Sequence, residues 1–213
     1  MQNKSSELVF ILDRSGSMSG MESDTIGGFN SMIEKQKQLK GDCYVTTILF
    51  NSAVDLIHDR CSLAEIAPMT GQDYFVGGST ALLDAVGSAI HHVSQIHKYV
   101  RTTDVPEMTT FVIMTDGMEN ASRKYTYNQV KQMIKQKKEI GWEFLFLAAD
   151  IDAVETAGHI GIDPNRAVDY LKDSKGTELA FRTVEETIGT MRKGHGIKAT
   201  WSKSIAADYQ KRR

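Results

Sequence analysis

The stretch LVFILDRSGS, Leu8 to Ser17, decides the fold. Five consecutive apolar residues, Leu8 to Leu12, read as a strand buried on both faces. The run stops abruptly at Asp13, Ser15 and Ser17, three oxygen-bearing side chains at alternating positions. In an extended or loosely turned loop, residues i, i+2 and i+4 can lean toward one point. One carboxylate and two hydroxyls at the carboxyl end of a buried strand can therefore meet one hard cation.

Outward from this strand, Glu22 to Leu39 carries Ile26, Phe29 and Ile33 at helical spacing and closes at Gly41, an amphipathic helix with a glycine stop. YVTTILF (44 to 50) and AVDLIHDRC (53 to 61) are separated by Asn51-Ser52, which predicts an antiparallel hairpin whose second strand lies at a sheet edge. A polar, irregular stretch around Met69 to Gly78 leads to Thr80 and a helix with Leu82, Val86, Ala89, Ile90, Val93 and Ile96 on one face. Thr109 to Thr115 is a second buried strand, ending in Asp116-Gly117 much as the first ends in Asp13. There follow a basic helix over Tyr127 to Lys138, a strand over 142 to 149, a short helix over Asp152 to Gly161, a short strand over Ala167 to Tyr170 and a last helix over Thr177 to Arg192. Strands alternating with helices predict an α/β fold, a doubly wound, mostly parallel sheet with one antiparallel edge strand and helices on both faces.

The 213 residues, 24% of them charged, fit one soluble domain (1 to 192) with a basic C-terminal tail (193 to 213). The tail holds six Lys or Arg against Asp208, a net +5, which leaves -7 for the residues before it given the total of -2. A global nucleic-acid-binding charge is absent. No stretch approaches the roughly 20 apolar residues of a membrane helix. The N-terminal MQNKSSE lacks the apolar core of a signal peptide, so the expectation is a cytoplasmic protein with no membrane partner. Cys43 and Cys61 fall in apolar runs outside any Cys-x-x-Cys pair and read as reduced, buried thiols.

In a doubly wound sheet, ligands bind beyond the carboxyl ends of the strands, where the winding direction reverses. If the first strand and FVIM are neighbours there, Asp13, Ser15, Ser17 and Asp116 converge, and Thr80 at the mouth of its helix can join them. Taken singly, these residues also fit caps of the following helices or turn positions.

The three segments DRSGS, GGSTALLD and MTDG resemble the metal-ion-dependent adhesion site of von Willebrand factor type A domains. Asp13, Ser15, Ser17, Thr80 and Asp116 match all five positions of that pattern, and the likeness runs from about Leu8 to Arg192. The resemblance implies a complete site, holding magnesium or manganese, in a protein-interaction (adaptor) module that performs no catalysis. A partner's Asp or Glu would complete the coordination. The resemblance further implies a partner of the kind of an AAA-type ATPase or a stress-response complex. Ser15 and Ser17 would coordinate directly, while Thr80 and Asp116 trade direct and water-mediated roles. The donor chemistry agrees: hydroxyl and carboxylate oxygens, without His or Cys, suit a hard ion. Two carboxylates only balance a divalent charge, so the ion stays electrophilic and keeps exchangeable waters.

Other readings are a metal-dependent hydrolase or phosphoryl-transfer enzyme with Asp13 catalytic, and a scaffold with a vestigial site. Against the first, Ser15 stands where an aspartyl phosphatase carries its second Asp, SGSMSG lacks dinucleotide-motif glycine spacing, and no P-loop is present. Among neighbours, Asp84 is expected to bond nearby backbone and Asp150 to cap the next helix. Glu119 and Asn120 fit either a pocket lining or a surface role. His91 and His92 point about 100° apart on a helix and cannot share one metal. Met18 and Met21 fit core packing better than an apolar rim.

Overall fold

The structure, a computed structural model, describes residues 5 to 213; the first four residues of MQNKSSE lie outside the described range. Six strands form one sheet: β1 (Ser6–Asp13), β2 (Cys43–Phe50), β3 (Val54–Ser62), β4 (Met108–Thr115), β5 (Glu143–Ala148) and β6 (Ala167–Asp169). Their order is β3-β2-β1-β4-β5-β6. All neighbours are parallel except β2 and β3, which form the antiparallel edge hairpin. From β1 the chain winds outward through α1 (Glu22–Lys37) to β2 and β3. It then returns across β1 through α2 (Leu82–Tyr99) to β4, and continues by α3 (Tyr127–Glu139) and α4 (Ala153–His159) to β6. The winding direction therefore reverses between β1 and β4, whose register pairs Leu12 with Met114. That juxtaposition puts Asp13 and Asp116 at one crevice.

Strand alternation divides the core into two layers. Leu8, Phe10 and Leu12 face Phe29 and Ile33 of α1, with Val184 and Ile188 of α5 (Ser174–Arg192). Val9 and Ile11 join Val86 and Ile90 of α2 and Val130 and Ile134 of α3 on the other side. Each such fully buried aliphatic or aromatic side chain contributes about 1.5–3 kcal/mol of transfer free energy. A 3-10 turn (Gly16–Met18) links β1 to α1, and Met18 and Met21 are both buried. Among the described residues, no helix is long and apolar enough to cross a membrane. Cys43 and Cys61 are free thiols, the first buried and the second half-buried.

Two local expectations need correction. The basic tail expected over 193 to 213 is not a separate appendage: within it α6 (Lys203–Arg212) packs on α5 and β6. Trp201 and Ile205 anchor it in the core, and the Trp201 indole donates to the Asn165 carbonyl at 2.8 Å. Its charges are also used, since Arg212 pairs with Asp208 and with Asp173 at the start of α5. Asp150 does not cap α4; Asp152 does, accepting from the Glu155 amide at 2.8 Å. The stretch from Met69 to Gly78 is a loop, yet it buries Tyr74 completely. β3 carries a register irregularity opposite Thr47, with Arg60 at φ 47°.

Candidate metal centre

β1 delivers Asp13 into the crevice at 1% exposure. Its Oδ1 accepts from the Ser15 amide at 2.7 Å, and its Oδ2 accepts from the Thr115 hydroxyl at 2.5 Å. The Ser15 amide bond closes the loop onto the strand end, so Ser15 and Ser17 bring their hydroxyls within 3.0 Å of each other. The Ser17 hydroxyl then donates to Asp116 Oδ1 at 2.6 Å. Four of the five expected donor residues are thus joined in one continuous polar chain across β1 and β4. Asp13, Ser15, Thr80 and Asp116 are buried while Ser17 is exposed, so the cluster opens to solvent on the Ser17 side.

Thr80 reaches the cluster from the loop before α2. Its amide donates to Asn120 Oδ1 at 2.8 Å and its carbonyl accepts from the Asn120 amide at 3.0 Å, so the loop after Asp116 fixes the Thr80 backbone on both sides. A Cβ on Gly117 would lie 2.8 Å from Thr80 Oγ1 and 3.5 Å from Ser17 Oγ. Glycine at this position lets the Thr80 hydroxyl approach the backbone closely.

None of the five residues caps a helix with its side chain. The turn after β1, α1 and α2 begin without a side-chain cap from their N-cap residues, and α3 is capped by Thr126. The first amides of α2 are instead taken by the loop after β4: Leu83 donates to Glu119 Oε2 at 2.8 Å and Asp84 to Ser122 Oγ at 2.9 Å. Asp84 returns the favour, accepting from the amides of Arg123, Lys124 and Tyr125. Glu119, Asn120 and Asp84 therefore shape the loop that holds Asp116. His92 pairs with Asp59 away from the centre, and His91 is exposed.

The electrostatics are those of a site short of positive charge. Burial pushes the Asp13 carboxyl up from its ordinary value, the Thr115 and Ser15 hydrogen bonds oppose this, and the charge of Asp116 adds to the rise. Asp116 Oδ2 is buried and has no hydrogen bond. The nearest cation is Lys172, in the β6–α5 connection, whose ammonium lies 3.2 Å from that oxygen but off a hydrogen-bonding line, and 2.8 Å from Asp150 Oδ2. Asp150, followed by Asp116, holds Lys172 firmly in its charged form.

Several of these residues carry no sequence signal. Tyr74 donates its phenol to the Asp13 carbonyl, and Arg14, buried at 4% exposure, pairs with Asp55 and lies 4.5 Å beneath the Phe75 ring. Thr115 bonds Asp13 and the Gly117 turn together. Among the described residues, no three His, Cys, Asp or Glu side chains gather as a metal cluster. The donor set is two carboxylates and three hydroxyls. Such a set, with a buried carboxylate oxygen that accepts no hydrogen bond within it, fits a hard divalent ion.

No protein-family model and no curated protein matches the sequence. Solved structures do match. A von Willebrand factor type A protein from Catenulispora acidiphila aligns at TM-score 0.56 and 14% identity over 85% of this chain and 42% of that one. The proximal thread matrix protein 1 from the mussel byssus, with a zinc-occupied metal-ion-dependent adhesion motif, aligns at 0.57 and 11% over 86% and 46%. The ArnB paralog VWA2 from Sulfolobus acidocaldarius aligns at 0.54 and 15% over 85% and 44%. The chain spans less than half the length of each of these three. At such identities the likeness is one of fold: the chain has the von Willebrand factor type A fold.

Proposed function

We propose that this chain is a divalent-metal-dependent protein-interaction module in which Asp13, Ser15, Ser17, Thr80 and Asp116 hold magnesium or manganese. The observation that carries the reading is the oxygen chain from Asp13 through Ser15 and Ser17 to Asp116, buried except at Ser17, which caps no helix and ends in a carboxylate oxygen with no hydrogen bond. Buried carboxylates without such a use are costly. The bound ion would supply Lewis acidity toward an incoming oxygen. Thr115 and the Ser15 amide orient Asp13, Asn120 orients Thr80, and the exposure of Ser17 leaves a path for a partner's Asp or Glu. The zinc-occupied motif of the mussel protein supports metal binding on this fold and leaves the choice of ion to the donors, which favour magnesium or manganese.

The test is thermal unfolding in magnesium against EDTA. At a magnesium concentration about 100 times the dissociation constant, binding stabilises by about 2.7 kcal/mol. For a chain of this size that raises Tm by about 5–10 °C. The double substitution Ser15→Ala/Ser17→Ala is expected to abolish the shift, and binding of any partner is expected to be lost with it. Equal melting temperatures in magnesium and EDTA for the unsubstituted chain would refute the proposal.

A further inference from the structure

We propose that Lys172 is an internal cation that competes with the divalent ion for Asp116, and that metal entry moves its ammonium off Asp116 and onto Asp150 alone. The proposal rests on the metal reading above and adds a residue that sets the affinity of the site.

The ammonium sits between two carboxylates, 3.2 Å from Asp116 Oδ2 and 2.8 Å from Asp150 Oδ2. These two anchors differ in kind. Asp116 is buried at the bottom of the crevice, and among the described residues this ammonium is the one cation paired with its Oδ2. The Asp150 side chain is 59% exposed, so a lysine held there alone remains partly solvated. Among the described residues, Asp150 is also one of two non-glycine residues at positive φ, at 56°, a sparsely populated conformation just past the end of β5. A flexible ammonium has the reach to shift between two such anchors, whereas a planar guanidinium is suited to a fixed fork.

A monovalent charge beside a ligand oxygen and a divalent ion bound to that carboxylate repel each other. Even with water-like screening, a unit charge about 4 Å from a divalent ion opposes its binding by more than tenfold. Lys172 therefore lowers metal affinity while it remains on Asp116, and it compensates half the charge of the two carboxylates when no metal is present. The residues after it tie the connection to three helices. Asp173 caps α5 through the Gly176 amide and is paired with Arg212 of α6 at 2.5 Å, and Ser174 bonds Asp24 of α1 at 2.8 Å.

Manganese titration followed by the electron paramagnetic resonance of the free ion measures affinity directly on the full chain. Lys172→Met is expected to bind manganese about tenfold tighter than the unsubstituted chain, while Lys172→Arg, which keeps the charge, stays within about threefold of it. A gain below about threefold in Lys172→Met, with binding intact in the unsubstituted chain, overturns the role of Lys172 and leaves the metal reading standing. Failure of both proteins to bind manganese at millimolar concentration overturns both. Lys172→Gln is measured in parallel, so that the result does not depend on the folding of one variant. In a second arm, Asp150→Asn weakens binding in the unsubstituted background and has a smaller effect beside Lys172→Met; equal effects in both backgrounds overturn the part assigned to Asp150.

Discussion

Replacing Asp84 with alanine should untie the loop that presents Asp116 without touching any donor oxygen. The Asp84 carboxylate, 7% exposed in the first turn of α2, accepts from the amides of Arg123 at 2.9 Å, Lys124 at 2.8 Å and Tyr125 at 2.9 Å. Hydrogen bonds to charged groups are worth about 1.5–3 kcal/mol each, so three give about 4.5–9 kcal/mol if every amide were left dry. Arg123 and Lys124 are exposed and their amides can turn to water, whereas Tyr125 is half-buried against the helix. That relief lowers the expected loss to about 3–4 kcal/mol, to which the lost negative charge at a helix N-terminus adds a few tenths. In a chain of this size the loss lowers Tm by about 6–15 °C. Urea unfolding gives the free energy, and amide hydrogen exchange locates it. The amides of Arg123, Lys124 and Tyr125 should exchange much faster, while those of the central strands keep the protection of the global transition. A stability loss under about 1 kcal/mol, or unchanged protection at these three amides, would refute the assignment of Asp84 as the tether of this loop.

Two further predictions concern the far side of the crevice. A Cβ on Gly176 would stand 2.0 Å from the Leu171 carbonyl oxygen, a backbone atom that cannot swing away, so Gly176→Ala should cost more than about 2 kcal/mol and displace the β6–α5 connection; urea denaturation measures the first and the manganese affinity of the site the second. Arg212 holds the Asp173 carboxyl below its ordinary value through its hydrogen bond, so Asp173 contributes stability that is present above the unfolded value near 3.9 and is lost as pH falls through the lower folded value. Arg212 also lowers Asp208 in the same way. Arg212→Ala should therefore lower the urea midpoint at pH 7, and the gap to the unsubstituted chain should close below about pH 4; a gap that persists undiminished to pH 2 would show that the arginine acts by packing alone.

Much of the architecture was legible because strand and helix leave local periodicities. β1 and β4 are continuous apolar runs, the Asn51-Ser52 link marks the hairpin, and the helical spacings of α2 and α5 are regular. The convergence of Asp13, Ser15, Ser17 and Asp116 was legible too, since each follows a buried strand and the winding rule puts those strand ends together. What stayed hidden is what depends on contacts far apart in sequence. Lys172 lies 56 residues beyond Asp116, with nothing in its neighbours Leu171 and Asp173 to mark it. Tyr74 sits in a polar loop, yet it packs into the core and its phenol reaches the Asp13 carbonyl. α6 is mostly polar, and two residues, Trp201 and Ile205, dock it, too few to create a periodic signal. Asp150 misled because a strand end followed by a helix offers two acidic residues two positions apart, and only the backbone conformation tells which one turns toward the helix amides.

The edge strand β3 bears on how this molecule can associate. Its outer backbone faces away from β2, and a flat strand in that place would invite another chain to extend the sheet. Here the irregularity opposite Thr47 and the positive φ of Arg60 bend the ladder, while Asp55, Asp59 and Arg60 line the strand with charge of both signs. Strand-by-strand growth into fibrils is thereby discouraged at this margin.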